Sequence, residues 1–484
     1  MPWTELLINA PLSENVDGIA LTDKRVTERS DIYLDEEGAI NKRPGSDLQD
    51  ADHDFAGGAK VQSVYEWVRK GWTIIVSGGK AYVKKAVNIS PVEITGATLD
   101  PNNPVTFADN GTQLVMANGG KMIYTEDGTT ATEVSDPQAP TTVSFVAHIN
   151  GFILALDNDT DKIYNSDLDD ATSWAAAQFF KAESNSDKSL AMTTDESKIY
   201  VWGDKTLEIW YPDGSADVSP FSRQDVIPHG IIAKHSFMKA NNTFYWLNQE
   251  RRLVYLNGAI VQSVSLPFDK THHDMTTISD AESYLLTERG RYFLVINFPT
   301  ENRTHVYDIL LNQWYRWGYW NNRSAVLDRS LWNCIVYMQA WGKHFAGSRL
   351  GDDLLIISGE VEDDNGRQIR PEEITGWISF GTTVTKKIPK LRLVLKRGAV
   401  ILDADDLDKK PVLIMQYRKD GLMKWSNEIP IDLGQQGDTY MFAEVTRLGQ
   451  ARTIQFRFYM TDAAPFILVG GKGGCEIFVI AGKD

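Results

Sequence analysis

The side chains with the most chemical potential are few and scattered. His272-His273-Asp274 could hold a metal ion or supply a general base. Neighbouring residues on an extended chain point to opposite faces, so adjacent histidines seldom share one ion. No other His or Cys cluster completes a ligand set, and the tripeptide reads as a solvated loop. Ser/His/Asp and Cys/His triads leave no legible signature, and there is no Gly-x-Ser-x-Gly elbow, which argues against a hydrolase. Gly470-Gly471-Lys472-Gly473-Gly474 has the glycines of a phosphate loop but lacks its spacing and its Lys-Ser/Thr ending, so it reads as a flexible turn. Two acidic clusters, Glu360, Glu362, Asp363, Asp364 and Asp403, Asp405, Asp406, Asp408, could line a channel or bind cations; the simpler reading is solvated loops. The aromatic run Trp314, Tyr315, Trp317, Tyr319, Trp320 could stack on sugars. Alternating large aromatics on an outer strand more often pack between sheets or against a partner subunit, which makes Trp314, Trp317, Tyr319 and Trp320 candidate interface residues.

The elements that would position these groups repeat. An apolar run ends in a tight polar turn, and then a short strand begins, often with Lys, and closes on an aromatic. The clearest copies are residues 72–77 with Gly78-Gly79-Lys80-Ala81-Tyr82, residues 114–117 with Gly119-Gly120-Lys121-Met122-Ile123-Tyr124, and residues 152–156 with Lys162-Ile163-Tyr164. Looser copies close on Trp210, Tyr255, Tyr307 and Phe345. Closing aromatics lie roughly 40 to 50 residues apart, the period of a four-stranded propeller blade. A blade cannot bury both its faces alone, so a ring of blades follows.

Composition agrees with an all-β chain. With 484 residues and 42% hydrophobic content, two or three domains are expected and global disorder is not. Only residues 171–177 read as helical. The formal charge of −16 repels phosphate backbones and disfavours a sequence-reading nucleic-acid binder; the same repulsion suits a surface past which nucleic acid must slide. Cys334 and Cys475 stand far apart, neither a disulfide framework nor a zinc site, as fits assembly in a reducing cytoplasm. No secretory signal and no membrane anchor are expected, and no motif calls for a cofactor or a metal.

Three regions are expected: a lead-in over 1–58 that completes the platform or the last blade, a propeller of six to seven blades over 59–358, and a β-sandwich-like platform domain over 371–484. The lead-in holds a small hairpin, Ile32-Tyr33-Leu34 against Ala39-Ile40, and a hinge at Ala56-Gly57-Gly58-Ala59. The fourth copy reads as a hairpin turning through Gly203-Asp204-Lys205, residues tolerant of positive φ. Glu360 to Arg367 reads as an exposed acidic linker. Platform strands are expected at 390–396, 412–418, 440–445, 453–459 and 475–480.

Asp167-Leu168-Asp169-Asp170-Ala171-Thr172-Ser173-Trp174 loosely resembles the Asp-box of sialidase propellers, a structural hairpin cap, with Ala171 in place of its glycine. The arginine cluster and nucleophilic tyrosine of a sialidase are not marked by any motif.

A broader resemblance rests on four blocks in order. They are Tyr164-Asn165-Ser166-Asp167-Leu168 with Ser173-Trp174 and Phe179-Phe180-Lys181-Ala182-Glu183; Val201-Trp202-Gly203-Asp204-Lys205-Thr206-Leu207-Glu208-Ile209-Trp210-Tyr211 with Pro220-Phe221-Ser222-Arg223 and His229-Gly230; Asn242-Thr243-Phe244-Tyr245-Trp246-Leu247; and Asp420-Gly421, Trp425-Ser426, Leu433-Gly434, Gly437-Asp438-Thr439-Tyr440 and Arg447-Leu448-Gly449-Gln450-Ala451-Arg452. Over residues 160–460 the chain resembles the packaged-DNA stabilisation, hub or nozzle proteins of short-tailed bacteriophages. That resemblance implies a non-enzymatic virion tail component: a ring of six copies around the DNA exit channel. Its partners would be an adaptor above and a plug, needle or receptor-binding fibres beside or below, with double-stranded DNA passing without sequence readout. The competing readings are a glycan-binding or glycan-degrading propeller and a cytoplasmic scaffold; gene neighbourhood or a ring seen by electron microscopy separates them.

Overall fold

The computed structural model describes residues 3–14, 25–48, 58–158, 161–182, 188–214, 219–321, 328–396, 410–434, 440–470 and 474–481. Almost every element is a strand; the one α-helix among the described residues is Asp269–Asp274.

Seven four-stranded antiparallel units follow one another, starting with Val61–Trp67, Thr106–Asp109, Val143–Ile149, Ser189–Asp195, Met238–Ala240, Glu282–Glu288 and Cys334–Ala340. The apolar cores straddle their boundaries. Tyr82 of blade 1 packs with Met338 and Phe345 of blade 7; Phe180 of blade 3 meets Trp202 and Trp210 of blade 4; Tyr245 of blade 5 meets Tyr307 of blade 6. This is the arrangement a ring needs, since each blade supplies the apolar cover its neighbour lacks.

The repeating phrase is the second and third strand of each blade. Tyr82, Tyr124, Tyr164, Trp210, Tyr255 and Tyr307 all lie on third strands. Phe345 does not: it sits on the second strand of blade 7, Lys343–Ser348. Blade 7 keeps its second and third strands, Lys343–Ser348 and Leu354–Ser358, and takes its fourth, Gly45–Leu48, from the lead-in, paired antiparallel to Leu354–Ser358. Gly45 is needed where it stands, because a Cβ there would meet the Asp363 carbonyl oxygen at 2.3 Å.

Three local expectations change. Residues 171–177 are not helical; they belong to strand Asp170–Lys181, whose pairing skips from Ser166↔Trp174 to Tyr164↔Phe179 so that 175–178 bulge outward. Cross-strand pairing overrides the helix propensity of three alanines. The turn after Trp202 uses no positive φ at Gly203 or Asp204; left-handed pairs occur instead at turns such as Asn150-Gly151, Arg289-Gly290 and Trp341-Gly342. The acidic linker is no loose tether: Ser46 N donates to the Asp363 carbonyl and Asn365 N to the Ser46 carbonyl.

The lead-in threads through the rest of the molecule. Val26–Ser30 joins blade 6 to the C-terminal strands in one nine-stranded sheet: it pairs parallel with Gln313–Trp317 and antiparallel with Glu372–Thr375, and Ile454–Tyr459, Val412–Lys419 and Ile429–Asp432 follow. A second sheet assembles Trp3–Glu5, Glu476–Ala481, Lys386–Lys396, Ile467–Leu468, Ile40–Lys42 and Ile32–Leu34, with Tyr440–Ala451 on the other side of Lys386–Lys396. The two sheets share a core of Leu391, Leu393, Leu413, Phe456, Phe458 and Ile477, continuous with Phe293, Trp317 and Trp332 of the propeller side. The platform and blades 6 and 7 are therefore one packed body. The hinge residues Ala56 and Gly57, and Gly471 to Gly473 of the glycine turn, lie outside the described residues.

Candidate functional site

Two places gather functional side chains: the joint between propeller and platform, and the propeller axis.

The joint is ionic. Asp31, in the left-handed conformation at φ 53 that Asp tolerates better than most residues, breaks the strand between Ser30 and Ile32. Its Oδ1 accepts from Arg43 Nε and Gly318 N, and its Oδ2 from Arg329 Nε, each at 2.8 Å. Arg43 continues to Asp364 Oδ2 at 2.5 Å and to the Gly318 carbonyl at 2.9 Å. Burial works against the charge of Arg43, but Asp364 and Asp31 outweigh it and hold the guanidinium charged. Beside this cluster Arg29 donates twice to Glu373, both bonds at 3.1 Å, with both side chains fully buried. Arg457 Nε meets Glu372 Oε1 at 2.6 Å, and Arg316 grips Glu14. A cavity of about 360 Å³ opens among Glu28, Arg303, Arg316, Arg329, Glu372 and Arg457.

This is an arginine cluster that no sequence motif marks. Carboxylates already engage Arg316, Arg329 and Arg457, so the arrangement clamps strands from three regions rather than presenting empty guanidinium forks. The only available signal was the charge pattern of Arg29-Ser30-Asp31 and of Lys42-Arg43 beside short strands.

The acidic candidates divide accordingly. Asp364 is 3% exposed and belongs to the joint, which corrects its reading as a channel residue: Arg43 pulls it inward. Glu362 pairs with Lys42 at 3.3 Å, Asp363 caps Gly366 N at 3.2 Å, and only Glu360 is exposed. Asp403, Asp405, Asp406 and Asp408 lie outside the described residues.

The aromatic candidates are also turned inward. Trp314, Trp317, Tyr319 and Trp320 are each under 10% exposed, at 1%, 1%, 6% and 7%, so within the chain they offer little surface to a second subunit. Trp314 Nε1 donates to the Val264 carbonyl at 2.8 Å and Trp317 Nε1 to that of Ile32 at 3.0 Å. The guanidinium of Arg370 lies 4.5 Å from the Trp320 ring centre.

The histidine tripeptide is corrected too. It forms the helix end, and His272 is fully buried, its Nε2 3.0 Å from His305 Nδ1 between Phe268, Phe298 and Trp314. Burial pushes His272 down to about 4 and His305 well below its usual value, so both are neutral, one donating to the other. His273 remains exposed beside Asp274. Among the described residues no three His, Cys, Asp or Glu side chains gather as a metal site. The Asp167-to-Trp174 segment is a hairpin turn: Ser173 Oγ donates to Asp167 at 2.6 Å and Trp174 Nε1 to the Ala171 carbonyl at 2.9 Å.

The axis is closed. First strands of the blades bring Phe107, Phe145, Tyr284 and Tyr337 together, with Phe237 just before blade 5, around a cavity of about 240 Å³. The space would admit a fragment of a small molecule and no duplex.

The fold is a seven-bladed β-propeller packed onto a β-platform. The chain belongs to the family described as bacteriophage P22 Gp10, beta-propeller, whose model matches residues 48–359. It is a tail component of the virion with a role in stabilising packaged DNA, as in the nozzle or hub proteins. A search of curated proteins finds no match. Among solved structures, the chain is similar to the extracellular domain of the putative hybrid two-component system BT4673 from B. thetaiotaomicron at 11% identity and TM-score 0.44, covering 71% of this chain and 43% of that one. It is similar to YCF48 bound to D1 peptide at 9% identity and TM-score 0.41, covering 68% and 99%, and to the computationally designed Ika8 protein at 9% and 0.38, covering 64% and 99%. Likeness at these levels carries no argument about function.

Proposed function

We propose that this chain is the wall block of a ring, six copies around the DNA exit channel, that retains the packaged genome and then conducts it. The narrow, aromatic-lined axis is the observation that supports this reading. It leaves no room for a duplex within one propeller, which favours a conduit formed between copies. A ring of six multiplies the −16 charge of each chain; carboxylates facing the lumen would repel phosphates and lower friction, within a screening length of about 8–10 Å. Retention would then be steric, by loop tips and a plug protein. An adaptor above and fibres or a needle beside or below complete the assembly, built in the host cytoplasm, with no catalytic step. Among the described residues no helix is long and apolar enough to cross a membrane.

Electron microscopy of the purified chain and of intact tails tests this. Rings with propellers in the wall and an open lumen are expected. A chain that stays monomeric with adaptor present, or a tail whose duplex density runs elsewhere, would overturn it. A monomer that binds or cleaves surface polysaccharide would favour the glycan reading instead.

A further inference from the structure

The axial cavity holds a feature that neither packing nor tail architecture requires. Glu282, at the start of the first strand of blade 6, lines it. The residue is half-buried, and among the described residues its carboxylate has neither a hydrogen-bond nor an ion-pair partner. Lys60 and Asp280 act on it with opposite signs from beyond contact distance. Desolvation pushes its carboxyl up, and a cation placed beside it would hold it ionised. Next to it stands His235, held to the same strand by Ser283 N donating to the His235 carbonyl at 3.0 Å. Its ring stacks on Phe145 with centres 5.2 Å apart, and its Nε2 has no hydrogen-bond partner. Burial, helped by Lys234, pushes this histidine down to about 3, so it stays neutral and does not repel a cation. Phe107, Phe145, Phe237, Tyr284 and Tyr337 supply the walls.

Aromatic faces, one half-buried carboxylate without a partner and a free imidazole nitrogen are the chemistry that recognises an organic cation. The ring quadrupoles attract the charge, the carboxylate takes a charge-assisted hydrogen bond, and a neutral imidazole can accept a second. A volume of about 240 Å³ lies below the range of about 300–1,000 Å³ typical of drug-sized ligands. It suits the end of an alkyl chain. We propose that the mouth of the propeller axis is a binding site for an alkylammonium group, with Glu282 as its anion and the five aromatic residues as its cage. The group arrives either on a free alkyl amine or on a lysine side chain of a partner. The proposal does not depend on ring assembly.

Calorimetric titration of the full chain with n-butylamine, with a blocked Gly-Lys-Gly peptide and with n-butanol tests it. At least one amine should bind, Glu282→Gln should weaken it roughly tenfold or more, and Phe237→Leu should weaken it by roughly threefold. The neutral alcohol should bind no better than either variant binds the amine. Binding of n-butylamine identifies a free amine as sufficient; binding of the peptide alone identifies a partner side chain. Glu282→Gln should melt at the same temperature as the parent, since it removes a half-buried charge that has no partner in the chain. The site is refuted if neither amine binds, if the glutamine variant binds as well as the parent, or if n-butanol matches the amines. Should Glu282→Gln fail to fold, an unchanged affinity in Phe237→Leu refutes it as well.

Discussion

The seams between blades 3, 4 and 5 and the joint between propeller and platform both seal one element against the next, with opposite chemistry. The seams are hydrocarbon and aromatic: Trp202 packs against Phe237, Phe244 and Trp246 with ring centres 4.9, 5.5 and 6.0 Å apart. The joint adds buried guanidinium and carboxylate groups to the apolar core that runs across it. Apolar contacts are non-directional and tolerate exchange of shape, so a ring of similar seams can be assembled from varied residues. A buried ion pair gains little net stability, but it fixes geometry, because every lone pair left unmet is penalised. The ring closes by packing, and its orientation on the platform is set by charge.

The largest effect should come from breaking the joint. Arg43→Ala leaves Asp31 and Asp364 buried without their shared partner, and should cost about 3–5 kcal/mol in chemical unfolding of the isolated chain. Arg43→Lys should recover little, because one ammonium cannot reproduce the fork that reaches Asp31, Asp364 and the Gly318 carbonyl. On the seam, Trp202→Phe should cost only about 1–2 kcal/mol, since a smaller aromatic still fills most of the space. Equal sensitivity of the two sites to their conservative replacements would remove the distinction between directional and non-directional sealing.

Acid should separate the regions next. His272 is neutral in the folded chain at a value of about 4, whereas in the unfolded chain it titrates near 6.5. The folded state then binds fewer protons below pH 6.5, so stability is full above that value. It falls as pH drops from about 6.5 toward 4 and levels off below. His305 and His235 add in the same direction, the latter levelling off only near 3. Melting temperatures measured between pH 7 and pH 4 should decline through this window, with hydrogen exchange rising first around Phe268 and Trp314. His272→Gln should flatten the decline; an unchanged slope would mean that the carboxylates and not the histidine pair set the acid limit.

How much of this was legible depended on what kind of order a sequence repeats. The propeller was legible because second and third strands recur with local turns, and local turn chemistry is written in adjacent residues. The slip at Phe345 and the particular strand that the lead-in lends to the last blade were not, because Gly45–Leu48 pairs with Leu354–Ser358 across most of the chain and leaves no periodic trace. His272 was misread for a related reason: its burial depends on Phe298, His305 and Trp314 arriving from blade 6. The joint was invisible as a site, since Arg43, Asp31, Arg329 and Asp364 look like ordinary surface charges until their strands meet. Glu282 was hidden in the same way, a single carboxylate at the start of an amphipathic strand.

The smallest effect should come from the feature that was easiest to read. The lysine that opens the repeated strand phrase has a physical reason in the first two blades: Lys80, on the third strand, reaches Glu93 of the fourth at 3.1 Å, and Lys121, just before the third strand, reaches Glu133 of the fourth at 3.2 Å. In blade 3 the same position is Lys162, whose ammonium lies 4.2 Å from the centre of the Phe179 ring. Both ion pairs are roughly half exposed, at 47% and 40% and at 52% and 55%. Such pairs are worth about 0.2–1 kcal/mol and fade with salt. Glu93→Gln should therefore lower stability by under about 1 kcal/mol at low ionic strength, and by nothing measurable at about 1 M salt, where the screening length falls to about 3 Å. A loss as large as that of Arg43→Ala, or one that persists in high salt, would mean that the outer strands are held by these lysines. The recurrence of the motif would then mark a stabilising contact instead of a solvated strand edge, where a lysine discourages pairing with another sheet.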